Sequence, residues 1–154
     1  MLVDYSTFER PYSWDNWYGK VTLSDGRDER TVRIEIGTDE DFIPEESKRM
    51  LEYFITHYAD YKAALLEPIY DYYYFCRSNW GTVPPDDPRF PEITDINKIN
   101  EMITLSSVYI HDPETRGRGS IGLLFECTWE KEEGMGICMQ GYEVEKIGIQ
   151  GTQY

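Results

Sequence analysis

An α+β fold is predicted for this 154-residue chain: an antiparallel sheet of an N-terminal hairpin and a C-terminal meander, with the helices of a central segment packed on one face. Three observations predict it. Residues 121–148 place their apolar positions in short runs cut by glycine-bearing turns, the pattern of strands that fold back on their neighbours. Residues 31–36 alternate strictly, with Val32, Ile34 and Ile36 against Arg33 and Glu35, so one face is dry and the other wet. Between these two stretches the apolar residues recur at helical spacing.

The elements follow in order within a single domain, 1–154. The β-hairpin covers 12–36, with Trp17, Val21 and Leu23 in its first strand and Ser24-Asp25-Gly26-Arg27 as its turn. The helical segment covers 44–76. Pro44-Glu45-Glu46 opens it, since proline suits the first turn and acids suit the positive end of the helix dipole. Met50, Leu51, Phe54, Ile55, Tyr58 and Tyr61 form its apolar face. Pro68 removes a backbone donor, so a kink or break is expected at 64–67. Residues 70–75 (YDYYYF) are too aromatic for a solvated helix and are expected to lie between the sheet and another element.

Residues 78–91 are a loop stiffened by Pro84, Pro85, Pro88 and Pro91 and expected to be a packed connector. A short helix is predicted over 94–103, capped by Thr94 or Asp95, with Ile96, Ile99, Met102 and Ile103 as its buried stripe. The meander covers 105–148. In its first strand Leu105, Ser107, Tyr109 and His111 share one face. Its turns are assigned to Glu132-Glu133-Gly134 and Gln140-Gly141, and the polar tail 150–154 is expected to fray.

Composition narrows the function. The formal net charge is −14, which repels phosphate backbones and disfavours nucleic acid. It favours solubility and a basic protein partner. Aromatic residues make up 15% of the chain, and 13 of them are tyrosine, a side chain suited to half-buried positions and binding faces. The three cysteines, Cys76, Cys127 and Cys138, form no CxxC pair, so neither a disulfide framework nor a zinc ribbon is indicated. The opening residues lack a basic stretch followed by an apolar run, and no apolar run reaches membrane-spanning length. The chain is expected to be cytoplasmic.

No catalytic signature is present. There is no GxSxG elbow and no HExxH, and Gly117-Arg118-Gly119 lacks the surroundings of a phosphate loop. His57 sits among tyrosines and reads as a structural histidine. His111-Asp112 ends a strand, and Glu130, Glu132 and Glu133 cluster beyond Trp129. Such carboxylates do acid–base chemistry only where burial separates their pKa values.

Residues 125–137, Phe-Glu-Cys-Thr-Trp-Glu-Lys-Glu-Glu-Gly-Met-Gly-Ile, followed by Val144, Ile147 and Gly148, resemble the C-terminal signature of a family of uncharacterised bacterial domains. Its members show Phe-x-Cys-x-Trp-Asp-x-Glu-His-Gly-x-Gly-Val and then a hairpin ending Val-x-x-x-Gly. Glu130 stands where the family has Asp, and Glu133 where it has His. If that His were catalytic in the family, its loss here would argue against the chemistry. In overall character the chain also looks like immunity proteins of bacterial toxin systems.

Two expectations follow. The first is a non-enzymatic, acidic, protein-binding module, of the immunity type, that meets a basic toxin through Trp129, Glu130, Glu132, Glu133, Asp39, Glu40 and Asp41. It needs no cofactor and no metal. The second is a small hydrolase or ligand-binding enzyme that uses His111, Asp112 and the Glu130–Glu133 turn, which must then converge.

Overall fold

Six strands form one sheet in chain order, and its antiparallel pairing is broken between the second and third. The computed structural model describes residues 3–24 and 29–154. The predicted turn of the first hairpin therefore lies, beyond Ser24, outside the described residues. β1 (Trp17–Ser24) pairs antiparallel with β2 (Glu29–Ile36). β3 (Ile103–Ile110), β4 (Ser120–Cys127), β5 (Glu130–Gln140) and β6 (Glu143–Gly148) make the antiparallel meander. β2 and β3 run parallel. Parallel neighbours need a long crossover, and residues 37–102 supply it. They carry α1 (Glu45–Thr56) and α2 (Tyr58–Asn79), so the hairpin and the meander become one sheet.

The core lies between these helices and one face of the sheet. Val32, Ile34 and Ile36, then Val108 and Ile110, then Ile121, Leu123 and Phe125, then Met135, Ile137 and Met139 meet Leu51 and Phe54 of α1 and Leu65, Ile69 and Tyr73 of α2. Only part of the aromatic stretch of α2 lies between two layers: Tyr73 is buried and Tyr74 half-buried, while Phe75 is exposed. Tyr73 donates to the Pro91 carbonyl, and Tyr74 to that of Ile93 at 3.1 Å. Arg77 donates to the carbonyls of Phe90, Val83 and Pro84. The proline-rich loop is thus a packed connector.

Five local expectations are corrected, the last of them in the tail. The helical break falls at His57, not at 64–67, and Pro68 lies inside α2. Burial of Leu65, Ile69 and Tyr73 on either side outweighs the proline's unfavourable propensity of about 3 kcal/mol. At His57 the ring instead bonds the Tyr53 carbonyl (2.9 Å) and stacks on the Tyr53 ring (3.9 Å), which closes α1. The 94–103 helix is a 3₁₀ helix, Ile96–Glu101, capped by Asp95.

The β4–β5 turn is Thr128-Trp129, so Glu130, Glu132 and Glu133 lie in β5. Gly134 is a bulge residue at φ +64°, where two steps along β4 face five along β5. A register shift between Leu105 and Ser107 turns Leu105 toward the core, away from the face it was expected to share with His111.

The tail does not fray. Gln153 is buried, and the segment 149–154 crosses the outer face of the sheet, away from the helices. Glycines make room for it: a Cβ on Gly122 would overlap the Gln153 carbonyl, and one on Gly136 its side-chain oxygen.

Candidate functional site

The residues singled out in the sequence scatter. Asp39, Glu40 and Asp41 are exposed beyond β2, at the end of the sheet where Ile36, Ile110, Ile121 and Met139 are in register. Glu130 pairs with Cys127 at the opposite end. The two acidic groups therefore do not form one surface. Trp129 offers no surface to a partner: it is 2% exposed, with its ring 5.0 Å from that of Tyr73. The turn it occupies draws it inward, where an indole gains most from burial. Glu130 is half-buried and faces Arg89 at 3.5 Å, while Glu132 and Glu133 stand exposed on β5.

His111 and Asp112 also serve local structure. Asp112 caps the short α3 (Pro113–Arg116) by accepting from the Glu114 N–H at 3.0 Å. His111 is buried under the tail, with Nδ1 2.6 Å from Ser120 Oγ and Nε2 2.7 Å from the Gln153 carbonyl. It lies at the Ile110–Ile121 end of the sheet, away from Glu132. The convergence required of a hydrolytic site is not formed by these groups. Among the described residues, no three of His, Cys, Asp and Glu gather as metal ligands would, and no helix is long and apolar enough to cross a membrane.

A different site is built where α1, α2 and the β5–β6 turn meet. The α1 helix presents Tyr53 on its outer side, because its inner side is filled by Met50, Leu51 and Phe54. One turn into α2, Tyr61 points inward and is buried. Between β5 and β6, Gly141 takes φ +58°, a conformation that suits glycine in a tight turn. That turn raises Tyr142 against the helices. The three rings meet: Tyr61 to Tyr142 at 4.7 Å, Tyr53 to Tyr61 at 6.3 Å and Tyr53 to Tyr142 at 6.4 Å between centroids. The hydroxyls of Tyr53 and Tyr142 are hydrogen-bonded at 3.1 Å.

Beside them opens a pocket of about 420 Å³, lined also by Met50, Ile121, Gly119, Glu46 and Arg49. Tyr53 and Tyr142 remain 46% and 39% exposed, so large apolar surface faces water at its mouth. Glu46 forms one rim, bridged to Arg49 at 3.1 Å and to Arg118 at 3.7 Å. The Tyr142 hydroxyl is held above the ordinary tyrosine value, first by its bond to Tyr53, then by desolvation and the charge of Asp60. Burial pushes Tyr61 up to about 12, with Tyr53 adding to it. Both therefore stay neutral near pH 7 and act as hydrogen-bonding groups. Chemically, the arrangement can grip a side chain: an apolar floor, aromatic walls and a rim of paired charges.

Sequence reading missed this site because its residues come from positions 46–61 and 119–142, and tyrosines at helical spacing read equally well as core. The available signal was the tyrosine excess itself. A family model described as a domain of unknown function, DUF6985, matches residues 4–154. The chain belongs to the DUF6985 family. The C-terminal residues pointed to an uncharacterised family, and the match spans nearly the whole chain. No curated protein and no solved structure matches this DUF6985 domain.

Proposed function

We propose that the domain is a non-enzymatic, acidic, protein-binding module, and that its partner is a basic protein met in the bacterial cytoplasm, in the manner of an immunity protein and its toxin. The observation that carries this reading is the exposure of Tyr53 and Tyr142 at the mouth of a largely apolar pocket. Exposed, hydrogen-bonded tyrosines beside a cavity are the surface from which binding hot spots are made. Asp60 lies near them and Glu143 adjoins Tyr142 on the exposed side, within a chain of net charge −14. Long-range attraction would speed encounter with a cationic surface, and the rings would supply the contact.

The test has two arms. A partner captured at low salt is purified, and its association rate is measured between about 20 mM and about 0.5 M NaCl, across which screening becomes strong. The rate is expected to fall by about tenfold or more. Tyr142→Ala is expected to raise the dissociation rate by about tenfold or more, as loss of a hot spot does. An association rate indifferent to salt removes the basic partner. A dissociation rate indifferent to Tyr142→Ala removes the pocket.

A further inference from the structure

The outer face of the sheet holds a latch independent of the tyrosine pocket. Its centre is His111, 2% exposed, with both ring nitrogens engaged. A carbonyl oxygen only accepts, so Nε2 carries the proton and donates to Gln153. Nδ1 then accepts from the Ser120 hydroxyl. In the neutral ring these partners therefore fix one tautomer, and burial disfavours the charged form. A second proton would point at the Ser120 oxygen and force that hydroxyl to turn away. It would also place a full charge where little water reaches.

The segment that covers His111 is lightly held. The Gln150 N–H donates to Glu133 O at 3.1 Å, Arg116 Nη2 donates to the Tyr154 carbonyl at 3.0 Å, and the Tyr154 ring lies edge-on to Tyr109. Beneath it are Gly122, Gly136 and Gly148, which have no side chains to interlock with it. The hydrophobic core lies on the other face. The segment can therefore lift without disturbing the core.

We propose that residues 149–154 are an acid-released strap: protonation of His111 lifts Gln153 from the outer face while the helix-covered face stays folded. The surrounding charges support it. Arg116 on α3 and Lys146 on β6 oppose a charged ring, and Glu145 on β6 favours one. Asp112 adjoins His111 in the chain, and the neighbouring Tyr109 and Tyr154 are held above the ordinary tyrosine value, mainly by burial, and stay neutral. Burial is the first cause that lowers the His111 pKa from 6.5, and it outweighs the hydrogen bond to Gln153. A lowered value in the closed form means that the open form binds the proton more readily. The latch is thus intact above pH 6.5 and weakens as pH falls below it.

Cys138 reports the opening. It is buried outside the core cluster, and the same Arg116 Nη2 that bonds Tyr154 lies 3.4 Å from its sulfur. Cys127 is buried within the core and reports global unfolding. The full chain carrying Cys76→Ser is labelled with 4,4′-dithiodipyridine at about pH 7.5 and about pH 5.5, a span that brackets ordinary histidine titration, and the modified sites are mapped by mass. Labelling of Cys138, corrected for the reagent's rate on a free thiol, is expected to rise by about tenfold in acid while Cys127 stays protected. His111→Gln, whose amide can donate to Gln153 and accept from Ser120, is expected to abolish the rise. Lys146→Gln retains the histidine, removes a cation that opposes its charged form in the closed state, and is expected to shrink the acid-driven rise; it serves if His111→Gln does not fold. Cys138 labelling that ignores pH, a rise that persists in His111→Gln, a rise undiminished by Lys146→Gln, or Cys127 opening together with Cys138 would each overturn the strap.

Discussion

Arg89 shows how one side chain can join distant parts of a chain. Its Nε donates to the Trp129 carbonyl at 2.7 Å, its guanidinium lies 3.8 Å from the Trp80 ring centroid, and Nη2 is 3.5 Å from Glu130. The first and last contacts bind the proline-rich loop to the β4–β5 turn. The second lies within the loop region and uses the flat face of the group. Only a planar donor fork does both. Arg89→Ala is expected to cost about 1–2 kcal/mol in urea denaturation, and Arg89→Lys nearly as much. Full recovery by lysine would show that charge, not planarity, holds the loop. In the sequence, Trp129 was legible as a structural marker but not as a buried one. A tryptophan beside a turn reads equally well as an exposed anchor until the Tyr73 ring is found against it.

At the scale of elements, α2 sets propensity against packing. Pro68 leaves the Ala64 carbonyl without its helical donor, yet the helix runs unbroken from Tyr58 to Asn79. Pro68→Ala is therefore expected to stabilise the protein by about 1–3 kcal/mol, read as a rise in urea midpoint with unchanged slope. A loss of stability would mean that the half-buried proline ring packs better than a methyl group. Helix and strand periods were readable for most elements, because buried faces impose them on the sequence, but in the aromatic end of α2 the buried residue is Tyr73 while Phe75 is exposed. Boundaries were not. The His57 break rests on a ring stacked back on Tyr53, and the β5 bulge at Gly134 rests on register with β4. Both are relations between residues that no local period records.

For the whole molecule, the −14 charge acts against the folded state as well as for a partner. Like charges repel more strongly when the chain is compact. Raising NaCl from about 10 mM to about 0.3 M is expected to raise Tm by about 3 °C, near 1 kcal/mol for a chain of this length. A Tm that falls with salt would mean that ion pairs such as Glu46 with Arg49 and Arg118 outweigh the repulsion. By itself the sequence determined the α+β class, the hairpin, the four-strand meander, the packed proline connector and the acidic surface. These follow from periodicity, turn chemistry and composition, which act over a few residues or over none in particular. Tertiary structure alone decided the parallel β2–β3 junction, the tyrosine pocket and the glycine-cradled strap over His111. Each depends on which residues, far apart in the chain, share a face. That is settled by packing of the sheet and helices as a whole, since a glycine written for a turn and one written to admit Gln153 look alike until the chain has folded.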